Sequence, residues 1–310
     1  MIEFRLPSDL VREDLYTVLS QQVDYGHALI GVPAAWLKSR GKGVVVCVLD
    51  TGVDEKHPDL DGQILDAKDF TGSSAGPNDR NGHGTHCAGI ILARDNEIGV
   101  VGAAPEAKLL AGKVLGDSGS GSDHGIAAGI RWAIDMKADV ISMSLGSSSP
   151  APRIREAIIE AVNQNIIVIC AAGNEGPGEG TTGYPGSYPE VVSVGAIGAN
   201  GKLTSFSSRG KVDVAAPGAN VLSLAPGGRY VRMSGTSMAT PYVTAVEALV
   251  EGSCKAMSLP SPTPKEFTAM LRGASIEAGP IGKDSGYGWG VVDPAFLQAE
   301  RGPEPPGPKE

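Results

Sequence analysis

Three residue types able to do nucleophilic chemistry stand at turn positions of this 310-residue chain, far apart in sequence. They are a carboxylate in LDTGVD (49–54), two histidines in NGHGTH (81–86) and a serine in GTSMATP (235–241). Asp50 ends an apolar run and precedes Thr51-Gly52, a position that equally suits the capping of a turn or of a following helix. His83 and His86 are three apart, as two ligands of one metal can be, yet neither an HExxH glutamate nor a cysteine pair accompanies them. Ser237 opens a run that reads as a buried helix. A serine there either caps the helix or turns its backbone N–H and the helix dipole toward negative charge developing on a bound carbonyl. A hydroxyl, an imidazole to take its proton and a carboxylate to fix the imidazole tautomer are the parts of nucleophilic catalysis, and all three types are present.

The elements that must hold these groups are legible as apolar runs rich in Val and Ile at 43–50, 107–115, 138–145 and 165–173, each reading as a strand buried on both faces. Amphipathic helical patterns at 122–137 and 151–164 alternate with them, which predicts β-α-β units around a mainly parallel sheet with its chemistry at the carboxyl ends of the strands. After Val191 the apolar runs shorten, 253–267 reads as a surface loop, and helices are expected at 264–272 and just after Asp293. The chain is 41% apolar and 20% charged, with a net charge of −9 and no basic block, so nucleic acid is excluded as a partner. Glu3, Arg5, Asp9, Arg12, Glu13 and Asp14 interrupt the amino terminus where a secretory signal needs an apolar core, and no stretch approaches the length of a membrane span. Cys47, Cys87, Cys170 and Cys254 are widely spaced, the first three inside apolar runs, which favours a reducing, cytoplasmic setting.

With SLG (144–146), AAGNEG (171–176) and GYGWGVVDP (286–294) added, the motifs over residues 21–298 closely resemble the subtilisin-like serine peptidases, in the same Asp, His, Ser order, and most of all the intracellular subtilisins. The resemblance implies a three-layer αβα subtilisin-like fold with a mainly parallel central sheet. A catalytic domain at 21–300 would follow a short leader at 1–20 and precede a disordered tail at 301–310. It makes Ser237 the nucleophile, His83 the base and then acid, Asp50 the orienting carboxylate, Asn174 a side-chain donor to the oxyanion, and His86 structural. Gly119, Ser120 and Gly121 on one side and Ser144, Leu145 and Gly146 on the other are then the edges between which an extended peptide adds as a strand. The glycine spacing of GDSGSGS (116–122) does not fit a nucleotide loop. Ala171, Ala172, Gly173 and Gly183 would leave the pocket before the cut bond deep and uncharged, favouring large apolar or aromatic residues.

Where relatives place an aromatic wall three residues farther upstream, Asp123 stands here beside His124, so that subsite is expected to be open, weakly acidic and less selective for aromatics. Tyr242 replaces a customary histidine and is expected to differ in packing alone. By resemblance, structural Ca²⁺ is bound by side-chain oxygens of Asp59, Asn96 and Gln21 and the carbonyls of Arg94, Ile98 and Val100, a hard-oxygen set. Gly186, Tyr188 and Val191 are candidates for a second, weaker cation site. Cys87, four residues after His83, falls on the same helical face, where a mercurial would displace the imidazole. The leader, with its Arg5-Leu6-Pro7 element, is expected across the active site until removed by a cut between Leu15 and Gln22. The implied activity is a cytoplasmic endopeptidase acting on protein or peptide substrates through an acyl-enzyme, with a silent peptide-binding protein or an esterase as alternatives. Neither nucleic acid nor membrane is expected as a partner, and a homodimer is a further partner the resemblance allows.

Overall fold

A computed structural model describes residues 2–6, 11–12, 15, 18 and 20–297. In chain order it contains β1 (Glu3–Arg5), β2 (Val11–Arg12), α1 (Tyr25–Leu29), α2 (Val32–Ala35), β3 (Val45–Asp50), β4 (Ile64–Asp69), α3 (His83–Leu92), β5 (Lys108–Lys113), β6 (Ser120–Ser122) and α4 (Asp123–Asp135). There follow β7 (Val140–Met143), α5 (Pro152–Asn163), β8 (Ile167–Ala171), β9 (Val192–Ile197), β10 (Val214–Pro217), β11 (Val221–Ala225), β12 (Arg229–Ser234), α6 (Thr236–Ala256) and α7 (Pro264–Ala274), with a 3₁₀ turn at Pro294–Leu297. Seven strands form one sheet in the order β10-β9-β8-β7-β3-β5-β4, and every neighbouring pair is parallel.

An all-parallel sheet must be covered on both faces. Here α3 and α6 pack in one apolar cluster and α4 and α5 in another, giving three layers. The continuous Val/Ile runs of β7 and β8 are buried at every residue for this reason. Strand β3 is the pivot of the topology. It lies between β5 and β7; the chain goes first to β4 and β5 on one side of it and then crosses to β7–β10 on the other, so its carboxyl end lies at the switch point at which such sheets bind ligands. Asp50 is its last residue.

Two elements differ from expectation. Strand β4 is half charged, with Leu65 exposed, and as an edge strand with a bulge it shows neither a continuous apolar run nor clean alternation. Residues 253–256, expected in a loop, extend α6, because Ser253 and Cys254 still face the core; the loop proper begins after Met257. Helix α7 starts with a capping box, Thr263 and Glu266 bonding each other's backbone N–H around Pro264.

Candidate active site

The turn that carries Asp50 is built to accept a helix start. Asp50 is buried, and its Oδ1 lies 2.7 Å from His83 Nδ1 while also accepting the Thr51 N–H at 2.7 Å. Because a carboxylate can only accept, Nδ1 carries the proton and Nε2 is left as the basic nitrogen. His83 opens α3 directly after Gly82, whose φ of +96° allows the sharp entry. A Cβ at Gly84 would lie 2.2 Å from Gly52 O, so the two turns touch backbone to backbone.

Asp79 ties the arrangement together from inside. Its Oδ1 accepts from Thr51 Oγ1, Asn81 N–H and Gly82 N–H, and its Oδ2 from Thr85 N–H and Oγ1, all between 2.7 and 3.0 Å. Thr51 Oγ1 in turn accepts the Gly84 N–H. The fully buried Lys113 donates to Thr51 O at 2.6 Å and pairs with Asp117. Asp79, Thr51 and Lys113 escaped the sequence reading. The available sign was an aspartate four residues before the histidine in NDRNGH.

Ser237 is the second residue of the 21-residue α6, so its N–H belongs to a first turn without carbonyl partners in the helix. Pro241 sits inside that helix and has no N–H for Ser237 O. Ser144 Oγ fills that role at 2.9 Å, and Cys87 Sγ lies 3.5 Å from the same carbonyl and 3.9 Å from His83 Nδ1. The motifs around 83, 144 and 237 are therefore in mutual contact. Burial, followed by the charge of Asp50, pushes the Cys87 thiol well up, which keeps it a neutral core thiol. The Ser237 hydroxyl donates to Ser144 O at 3.4 Å, and His83 Nε2 is buried with no hydrogen-bond partner among the described residues. Asn174 is also buried, and its Oδ1 accepts from Thr236 N–H and Oγ1 at 3.0 Å each, which leaves Nδ2 as the donor end of the amide. His86, as expected, is architectural: its Nε2 lies 3.1 Å from both Val221 O and Val231 O, bracing the β11–β12 hairpin that leads into Ser237.

The expected substrate edges hold the chain's own amino-terminal segment. Strand β1 pairs antiparallel with β6, matching Phe4 with Gly121, while Arg5 and Gly146 exchange hydrogen bonds of 3.0 and 2.9 Å and the Leu6 N–H donates to Gly119 O. On the other side, β2 pairs with Met233 and Ser234 of β12, just before Ser237. Pro7 and, within the expected cut region, residues 16–17 and 19 lie outside the described residues, as does the 301–310 tail.

Phe4 corrects the expectation of an open upstream subsite. It is fully buried in the cluster that contains Leu115, Ile126 and Leu145, and Arg153 stands 3.9 Å from Asp123 and offsets its charge. A cavity of about 780 Å³ is lined by Gly146, Ala171, Ala172, Gly173 and Gly183, and also by Glu175, whose carboxylate accepts from Ser208 Oγ. The pocket is therefore not uncharged as expected. Tyr242 does more than pack, since its hydroxyl donates to the buried Asp24 at 2.6 Å and joins α6 to the segment before α1.

The six residues of the expected calcium set include a tight cluster. Asp59 is fully buried and accepts from Asn96 Nδ2, Val100 N–H and Tyr230 OH at 3.1–3.2 Å. Arg94 N–H donates to Asp59 O, Gln21 Nε2 donates to Arg94 O, and Ile98 N–H reaches Asn96 Oδ1. Turning the amides of Gln21 and Asn96 would present two further oxygens to the buried carboxylate, a donor set that suits a hard cation. The second expected set does not stand open to an ion, because Val191 O accepts from the Lys211 ammonium.

Comparison with known proteins agrees with this geometry. The model of the Subtilase family matches residues 41–290. An intracellular serine protease of Paenibacillus polymyxa is 46% identical over 286 residues, 88% of each chain. The major intracellular serine protease of Bacillus subtilis is 44% identical over 259 residues, 80% of this chain and 81% of that one. Subtilisin E of B. subtilis is 44% identical over 236 residues, 74% of this chain and 61% of its own length.

Proposed function

Because this chain belongs to the subtilase family and is a serine endopeptidase, we propose that its peptide-bond hydrolysis runs through Ser237, His83, Asp50 and Asn174. The observation that carries this reading is the 2.7 Å Asp50–His83 pair, buried beside the serine that begins α6. Rotation about the Ser237 Cα–Cβ bond takes Oγ from Ser144 O to His83 Nε2, which removes the hydroxyl proton as Oγ attacks the substrate carbonyl carbon. Asp50 holds the imidazole in the productive tautomer and stabilises the imidazolium. The tetrahedral oxyanion is met by the Ser237 N–H, with the α6 dipole behind it, and by Asn174 Nδ2, whose other end Thr236 fixes. His83 then protonates the departing amine, leaving an acyl ester on Ser237. Water attacks the ester carbonyl as His83 takes its proton, and the imidazolium then gives that proton to Oγ as the acid departs.

Substrate adds as a strand between Gly119–Gly121 and Ser144–Gly146, the mode that β1 adopts. Its residue before the cut enters the cavity walled by Ala171–Gly173 and Gly183, where Glu175 at the lining extends acceptance from large apolar residues to basic ones. Since β1 and β2 take up both sides of the cleft, the full chain is latent until the leader leaves. Ca²⁺ at the Asp59 cluster serves stability, and substrates are flexible proteins in the cytoplasm, a reading supported by the word intracellular in the names of the two relatives. A fluorophosphonate probe followed by peptide mass mapping tests the assignment. Label on Ser237 and its loss, with loss of casein digestion, in Ser237→Ala are expected; label elsewhere or full activity of that variant refutes it.

A further inference from the structure

The loop that walls the primary cavity runs from Thr182 to Val191. Gly183 N–H donates to Ala172 O at 2.9 Å and Tyr184 N–H to Ser147 O at 2.8 Å; farther along, the Tyr188 hydroxyl bonds Ala151 and Glu190 pairs with Arg155, while the last backbone bond before β9 is a 3.4 Å one from Val191 N–H to Tyr188 O. The carbonyl at that end, Val191 O, accepts from the ammonium of Lys211. The same ammonium lies 2.5 Å from Asp213 Oδ2, which also accepts the Ser193 N–H at 2.9 Å, and Lys283 Nζ sits 2.9 Å from Oδ1. The Asp213 side chain is only 9% exposed. Burial alone would raise its carboxyl; the charge and hydrogen bond of Lys211, with the Ser193 N–H and the charge of Lys283, instead hold it below the ordinary value, so it is an anion. A backbone carbonyl and a carboxylate facing one positive centre are the donors an alkali cation uses.

We propose that the Lys211 ammonium is a built-in cation, filling a carbonyl–carboxylate cage that ties the end of the cavity-wall loop to Asp213 at the start of β10, so that this wall is held without a bound ion. Lys211 is then a positioning residue that touches no substrate. Its charge cannot diffuse away, because the side chain is covalently tethered beside its partners. Removing the side chain should convert the cage into a site for an added monovalent ion.

The test is thermal unfolding in the Ser237→Ala background, in potassium, sodium or choline chloride at equal ionic strength. The parent should melt at one temperature in all three. Lys211→Ala should melt lower in choline by at least about 3 °C, and potassium or sodium should restore most of the loss. Lys211→Met, whose unbranched chain fills the space without charge, should melt lower and regain nothing. The proposal is overturned if Lys211→Ala matches the parent in choline, if no cation repairs it, or if parent and variant respond equally to potassium. Should Lys211→Ala fail to fold in choline, refolding yield in potassium against choline gives the same decision, equal failure overturning the idea. Because the readout is the stability of an inactive protein, the roles assigned to Ser237, His83 and Asn174 do not enter it.

Discussion

Replacing Glu247 by glutamine should stabilise the fold by an amount that grows with pH. Glu247 points from α6 into the core and is 1% exposed, and its Oε2 has no hydrogen-bond partner among the described residues. Burial first, then the charges of Glu251 and Asp139 against the relief from Lys255, push its carboxyl well above the ordinary 4.5. In the folded chain it therefore stays neutral where in the unfolded chain it ionises. Its contribution is fully present below the unfolded value and is lost as pH rises toward the folded one, at about 1.4 kcal/mol per pH unit. Across about pH 5 to 7 the parent should thus lose stability steadily relative to Glu247→Gln, by at most about 1.4 kcal/mol for each pH unit below the folded value. At about 1.5 °C per kcal/mol for a chain of 310 residues, the two melting temperatures should separate by about 2 °C for each pH unit in that interval. The assay is a series of melts at stepped pH on the Ser237→Ala background, which removes self-digestion. Parallel curves for the two proteins would show that the carboxyl is not held neutral and would refute the reasoning.

Three further outcomes follow from the geometry. Asp50→Asn should lower kcat by about 10⁴-fold with KM little changed, because an amide in that place favours the wrong imidazole tautomer; steady-state kinetics on a chromogenic peptide reads it, and a loss confined to KM would contradict the assignment. Phe4→Ala removes the most deeply buried side chain of β1, an exchange worth about 3 kcal/mol or more in a core, so the uncut chain should gain peptidase activity, and the active enzyme should prefer aromatic residues at the matching substrate position in a peptide library. A chelator should lower the melting temperature of the parent but not of Asp59→Ala, and equal behaviour of the two would remove the calcium reading.

The strands and helices that cradle the site were readable because their burial leaves a period in the sequence: Val/Ile runs for β3, β7 and β8, and three-to-four spacing for α4 and α5. Asp50, His83, Asn174 and Ser237 could be read from motif context, which carries residue types and order. What escaped is the kind of contact that has no period. Asp79 resembles any turn aspartate until Thr51 and Thr85 are seen to converge on it. Glu175 is recognisable as pocket lining only once residues 180–183, distant in motif context, are found around the same cavity. Lys211 reads as an ordinary surface lysine, since nothing local shows that Val191 O and Asp213 await it. Tyr242 seemed a packing change because its partner, Asp24, is 218 residues away.

The amino-terminal segment touches two ribbon rims that belong to different sheets, the β6 rim through Glu3–Arg5 and the β12 rim through Val11–Arg12. On the proposed mode of substrate addition, an incoming polypeptide would match a footprint laid down on both sides of the scissile point. A short peptide can claim one rim and leaves the other to the resident segment. A long unstructured stretch can make rungs on both, so under the proposed latency the protein's own covering would act as a length filter as well as a stopper.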